Sequence, residues 1–210
     1  KDGYSDPDNT WFKHPLGLAD AFPSDSTQSR DTDGDGYGDM VLGFEGDNCP
    51  TIHGASVIDR FGCLDSDEDG YSNIGDDLPN NPTQWLDRDG DGFGDNQSGT
   101  EPDVFPTDGT QWIDFDGDGY GDNILGNQGD VFPDDPLEWK DSDGDYLGDN
   151  ADMFPFDPTQ TEDRDGDGMG DNPMGIGADK FPDDPTQWSD IDGDGYGDNP
   201  LGNNPDVFIT

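Results

Sequence analysis

The sequence predicts an irregular tandem-repeat fold with little regular secondary structure, and three observations carry that prediction. Apolar residues are too few for an ordinary core. An aspartate-rich motif of nine residues recurs along the chain. Glycine falls on alternate positions inside the motif (Gly117, Gly119 and Gly121 in one copy), which forbids helix and weakens strand.

Only 27% of the 210 residues are hydrophobic, against roughly 45–50% in soluble domains. Acids number 52 and Lys plus Arg 8, for a formal net charge of −44. All of the acids are Asp except Glu45, Glu68, Glu101, Glu138 and Glu162. Such a composition describes a disordered chain, yet 11% of the residues are aromatic, and disordered chains are poor in them. The alternative is a fold neutralised by bound cations. The same charge repels nucleic acid and anionic membrane surfaces, so neither is an expected partner. No apolar run of about 18 residues is present to span a bilayer.

The motif Asp-x-Asp-x-Asp-Gly-x-x-Asp starts at Asp31, Asp65, Asp87, Asp114, Asp141, Asp163 and Asp190, at intervals of 34, 22, 27, 27, 22 and 27 residues. Self-similarity of this kind marks a repeat architecture. The expected units are 31–64 (with a Cys-bounded insertion), 65–86, 87–113, 114–140, 141–162 and 163–189, flanked by partial units 1–30 and 190–210. Asp2-Gly3-Tyr4-Ser5-Asp6 matches positions 5 to 9 of a loop, so the first partial unit is expected to begin inside one. Neither end reads as a polar capping unit, and the expectation is a window of a longer array.

Within a unit, the acidic loop is followed by an Asp-x-Phe-Pro segment such as Asp103-Val104-Phe105-Pro106. A stretch such as Asp184-Pro185-Thr186-Gln187-Trp188 comes next. Asp as N-cap with Pro as first helical residue predicts a single helical turn there.

The interval lengths have one cause. In the 22-residue units loop position 12 is an acid, Asp76 or Asp152. In the others position 12 is Leu42, Ser98, Leu125, Met174 or Leu201, and an Asp appears five residues later as Asp47, Asp103, Asp130, Asp179 or Asp206. A five-residue insertion, such as Leu125-Gly126-Asn127-Gln128-Gly129, displaces the acid without deleting it. The acid is therefore expected to do one job in every unit.

That job is metal ligation. Position 1 is Asp31, Asp65, Asp87, Asp114, Asp141, Asp163 or Asp190. Position 3 is Asp33, Asp67, Asp89, Asp116, Asp143, Asp165 or Asp192, and position 5 is Asp35, Asp69, Asp91, Asp118, Asp145, Asp167 or Asp194. These put three short carboxylates on one side of a tight turn. Position 9 (Asp39, Asn73, Asp95, Asp122, Asp149, Asp171, Asp198) and the acid at 12 or 17 extend the oxygen set. Position 7 (Tyr37, Tyr71, Phe93, Tyr120, Leu147, Met169, Tyr196) offers a backbone carbonyl. Asp2 and Asp6 are the matching candidates in the first partial unit.

An all-oxygen shell with flexible geometry suits Ca2+ better than Mg2+. A transition metal would want His or Cys, and His14 and His53 lie outside the loops. Carboxylates about 5 Å apart repel by roughly 0.8 kcal/mol even in bulk water, so about five acids per loop need counter-ions to stay together. One to two Ca2+ per loop is the expectation, with folding and binding coupled.

The aromatics, about three per unit, are expected to form a miniature core between successive loops. Trp85, Trp112, Trp139 and Trp188 also suit a glycan-stacking surface.

The loops resemble thrombospondin type 3 repeats, most closely from Asp47-Asn48-Cys49-Pro50 through Gly62-Cys63-Leu64-Asp65-Ser66-Asp67-Glu68-Asp69-Gly70-Tyr71-Ser72. The resemblance covers nearly the whole chain. It implies a calcium-wrapped fold with little secondary structure and the loop Asp residues as ligands, as in spacers or adhesive stalks of microbial surface proteins. Two departures stand out: Tyr146 replaces the turn Gly, and Asn73 replaces the position-9 Asp. Both loops are expected to bind more weakly or in altered geometry. EF-hand and dockerin readings need flanking helices, and an EF-hand wants Glu at position 12, which no loop has.

Cys49 and Cys63 are expected to form a disulfide closing a short loop, worth about 3 kcal/mol in the chain-entropy model. That pair fits an oxidising exterior, and sites this numerous saturate best in millimolar calcium. The expectation is a non-enzymatic, calcium-stabilised rod, stalk or filament body outside the cell or on its surface. Copies of itself end to end are its candidate partners. The alternative is a calcium-dependent adhesive module with surface glycans as partners. No Ser-His-Asp or Cys-His arrangement is apparent, and repeated carboxylate pairs do not single out a catalytic one.

Overall fold

A computed structural model describes residues 20–207; Asp2 and Asp6 lie outside the described residues. The chain divides into two compact units, Lys1–Trp112 and Ile113–Thr210, and the same local architecture is found inside each. Among the described residues there is no helix, and the only β structure is a set of isolated bridges.

Those bridges have a fixed place. They pair Gly38 with Gly46, Gly94 with Pro102, Gly121 with Gly129, Gly170 with Ala178 and Gly197 with Pro205, all parallel. Each joins loop position 8 to position 16, so each closes a five-residue insertion at its base. The next N–H, at position 17, then donates to the carbonyl of position 8. Examples are Asp103 to Gly94 at 2.9 Å and Asp179 to Gly170 at 2.8 Å. In the insertion-free loop at Asp141, the N–H of Asp152 donates to the matching carbonyl, Gly148, at 2.9 Å. Acids five residues apart in register thus hang from the same backbone oxygen.

The single helical turn expected at Asp-Pro-Thr-Gln is not formed. Two reverse turns stand there instead, closed by Asp184 N–H to Phe181 O (2.8 Å) and Gln187 N–H to Asp184 O (2.9 Å). Asp184 Oδ1 accepts the N–H and the hydroxyl of Thr186, at 3.1 and 2.6 Å, as a helix cap would, but no i to i+4 backbone bond follows it. Trp188 then runs extended, its carbonyl taking the N–H of Lys180 at 3.1 Å.

The expected aromatic core is formed in part: position-7 rings pack on the next Trp, but none is fully buried. Rings form half-buried pairs, Tyr71 on Trp85 (centroids 5.4 Å), Phe93 on Trp112 (5.2 Å) and Tyr120 on Trp139 (4.6 Å), all stacked. Tyr37 meets Phe61 at 5.7 Å in a tilted arrangement. Each pair is worth about 0.5–1.5 kcal/mol beyond its buried area. The fully buried side chains are polar instead: Gln28, Gln84, Gln111, Gln160 and Gln187, with Asp47, Asp103 and Asp130. Cys63, disulfide-bonded to Cys49, is the one buried apolar side chain among the described residues. So few large apolar groups are available that backbone and carboxylate hydrogen bonding takes over the interior.

Candidate metal centres

Each loop is wound around its own first aspartate. The Oδ1 of position 1 accepts the position-4 N–H at 2.6–2.7 Å in all seven loops, from Gly34 to Gly193. Its Oδ2 accepts the position-6 N–H at 2.9–3.1 Å. Meeting both donors forces positions 4 and 6 into the left-handed region, as at Gly117 (φ 83°) and Gly119 (φ 95°). Glycine pays no steric penalty there. Tyr146 adopts φ 77° at position 6 and still donates to Asp141 Oδ2 at 3.0 Å. The loop keeps its course at a strain cost of about 1–3 kcal/mol.

The other acids divide their two oxygens between backbone and interior. At position 5, Oδ1 accepts the position-7 N–H at 2.8–2.9 Å. At position 12 or 17, Oδ1 accepts the N–H two residues on at 2.6–2.7 Å, as Asp103 does from Phe105 and Asp152 from Phe154. The second oxygen is buried without a hydrogen-bond partner. This holds at position 3 in Asp33, Asp67, Asp89, Asp116, Asp143 and Asp165, and at position 5 in Asp69, Asp91, Asp118 and Asp167. It holds also for the displaced or terminal acids Asp47, Asp103, Asp130, Asp152 and Asp179.

The first three aspartates of a loop converge. Carboxylate oxygens from positions 1, 3 and 5 lie within 4.8 Å of one another in the loops at Asp31, Asp65, Asp87, Asp114 and Asp141, and two more such groups exist. The position-7 carbonyls accept no backbone N–H among the described residues, so they too are available. An unpartnered buried polar group forfeits about 1–3 kcal/mol, more when charged. Several in one loop call for protons or a cation among them, and the donor set, entirely oxygen, is of the kind that suits a hard divalent cation.

The electrostatics place the position-12 and -17 acids in the same cluster. Burial pushes Asp103 up to about 6, opposed by the Phe105 N–H and reinforced by the charges of Asp91, Asp89 and Asp95. Burial likewise raises Asp47, Asp76, Asp130 and Asp179, each with the acids of its own loop adding to the effect. Position 9 also has a basic neighbour in four loops, although Asp95 and Asp171 still carry buried oxygens without a hydrogen bond. Asp39, Asp95, Asp149 and Asp171 face Arg30, Arg88, Lys140 and Arg164 at 3.3–3.8 Å. The basic partners are exposed, and pairs of that kind near the surface are worth about 0–1 kcal/mol. The Ser142 hydroxyl holds Asp149 below the usual range. Asn73 fills position 9 of its loop by accepting the Ser66 N–H at 2.8 Å and donating to the Ser66 hydroxyl at 2.7 Å.

A pH dependence follows from Asp103. In ion-free folded protein this carboxyl keeps its proton up to about pH 6, whereas the unfolded chain loses it near the usual 3.8. The folded form binds more protons between these values, so ion-free stability falls as pH rises through that window. A cation needs the ionised form. Affinity at this loop is expected to fall as pH drops below about 6, with protons released on binding near about pH 5 and almost none near about 7.5. Calorimetry in two buffers of different ionisation enthalpy measures that release, and equal apparent heats near about pH 5 would contradict the assignment.

Sequence reasoning passed over the glutamines. Gln28, Gln84, Gln160 and Gln187 are at most 2% exposed, and the signal for them is their recurrence three residues before position 1. No family model and no curated protein matches this chain.

Proposed function

We propose that the chain is a calcium-binding structural protein of the cell exterior, in which Ca2+ holds each acidic loop closed and the linked loops serve as a stalk, spacer or filament body. The observation that carries this reading is the set of buried carboxylate oxygens with no hydrogen-bond partner, above all Asp103, Asp130 and Asp179, which are 0–3% exposed. Calcium accepts six to eight oxygens in flexible geometry. Positions 1, 3, 5 and 12 or 17, with the position-7 carbonyl, supply most of them. In this reading the ion neutralises the loop, and the loop residues pre-aim their free oxygens through the backbone bonds already described.

The Cys49–Cys63 disulfide supports an oxidising location. The glycan-binding alternative draws less support. Trp85, Trp112 and Trp139 each have one ring face covered by an internal stack, which reduces the area open to a sugar, while Trp188 is 39% exposed. Native mass spectrometry across a calcium titration tests the proposal. At least one Ca2+ for each of the seven loops is expected at millimolar concentration or below. A chain that stays ion-free there would overturn it.

A further inference from the structure

The residue three before position 1 sorts the loops into two classes. It is Gln28, Gln84, Gln111, Gln160 or Gln187 before the five loops that carry the insertion, and Gly62 or Glu138 before the two that lack it. In four of the glutamines the carboxamide makes the same three bonds. Oε1 accepts the position-10 N–H, from Met40, Asn96, Asn172 or Asn199, at 2.8–3.1 Å. Nε2 donates to the position-10 carbonyl at 2.9–3.2 Å. It also donates to the position-14 carbonyl, inside the insertion, of Phe44, Thr100, Ile176 or Asn203 at 3.0–3.3 Å. Glycine at positions 8 and 13, as in Gly170 and Gly175, leaves room for this side chain where a Cβ would collide with it.

The insertion-free loops are faced by acceptors only. Glu138 Oε2 accepts the Asn150 N–H at 3.0 Å. Beside the loop at Asp65, Asp59 accepts the N–H and the hydroxyl of Ser72, both at 2.7 Å. No position-14 carbonyl exists there to be satisfied. A carboxylate has no hydrogen to give one, and an insertion carbonyl left unpaired in a buried site is costly.

We propose that this carboxamide is a positioning residue for the metal centre: by pinning the insertion at positions 10 and 14, it delivers the displaced acid to the backbone oxygen used by the acid at position 12. The inference rests on the calcium reading of the loops. It explains why glutamine and insertion occur together, and why Asp179 N–H and Asp152 N–H reach equivalent carbonyls, Gly170 and Gly148, at 2.8 and 2.9 Å.

The loop at Asp163 allows a clean exchange between the classes. Removing residues 173–177 leaves Asn172-Ala178-Asp179, the same tripeptide as Asn150-Ala151-Asp152 in the loop governed by Glu138. Three full-length variants are compared with the parent: Gln160→Glu, the deletion of 173–177, and both together. The readout is the calcium concentration that protects the Asp171 and Asp179 amides from hydrogen exchange, with the loop at Asp190 as internal control. Gln160→Glu alone is expected to raise that concentration about tenfold or more, and the deletion alone to raise it as well, since Nε2 loses its Ile176 acceptor. The double variant is expected to return within about threefold of the parent, because each change repairs the other. Parent protection by calcium that survives unchanged in Gln160→Glu would overturn this inference alone, as would a double variant no better than the worse single one. No calcium-dependent protection in the parent would overturn the metal reading and this inference with it.

Discussion

Chelation with EDTA is expected to expand the chain and erase the environment of its stacked tryptophans. This is the largest effect expected. The formal charge is −44 with only 8 basic side chains, so carboxylate repulsion has no internal counterweight. Among the described residues the interior holds Cys63 as its only buried apolar side chain, which removes the usual compensating term at about 25 cal/mol per Å2 of buried apolar area. What remains is hydrogen bonding, worth about 1 kcal/mol net per bond, set against backbone ordering at about 1–2 kcal/mol per residue. Without ions, at neutral pH where the raised acids are ionised, the sum is expected to favour the coil. Small-angle scattering should report a rising radius of gyration and near-ultraviolet dichroism a loss of the Tyr120–Trp139 type of signal, both reversed by excess Ca2+. Scattering and dichroism that ignore the chelator would remove calcium from the account of the fold.

Replacing Asp116 and Asp118 by Ala together should dissolve one loop and spare the distant ones. Both carry a buried oxygen without a partner, and Asp118 also accepts the Tyr120 N–H at 2.8 Å. Outer-shell partners of a metal alone cost about 10–100-fold in affinity when removed, so losing two proposed direct ligands should exceed about 100-fold at this loop. The position-7 ring stacks on the following Trp139 at 4.6 Å, so the damage should spread to that neighbour and fade beyond it, as in nearest-neighbour assemblies. Limited proteolysis in calcium should open the chain near residues 114–130 first. Simultaneous loss of protection along the whole chain would contradict the independence of the loops.

Much of the candidate centre was legible because aspartate and glycine announce their tasks. A carboxylate at alternate positions with glycine at the turn has few arrangements open to it, and the convergence of positions 1, 3 and 5 follows from that spacing. The displaced acid was readable because the insertion length is constant. The Asp-Pro-Thr-Gln turn was not, since Asp followed by Pro opens a helix and a reverse turn equally well. The backbone bond from Lys180 N–H to the Trp188 carbonyl, which joins segments eight residues apart, is not readable from the local sequence. The depth of the aromatic pairs was not legible, because counting rings per unit says nothing about how many faces each ring covers. The glutamines escaped notice inside a segment that already had a plausible capping role. Their partition between loops with and without Asp at position 12 was visible in the sequence all along.

The bridge between positions 8 and 16 turns each insertion into a side room with its own doorway. Both jambs are pinned, for instance Gly94 to Pro102 and Gly121 to Gly129, while the tip residue is almost bare, Leu125 at 91% and Leu201 at 93%. Lengthening a loop between fixed ends costs only about 0.6 kcal/mol per doubling. Foreign peptides such as epitopes, enzyme tags or fluorophore handles can therefore be grafted at these tips, provided the position-10 and position-14 carbonyls keep their glutamine. Each such insertion is a ready-made display platform whose cargo stands clear of the carboxylate cluster at its base.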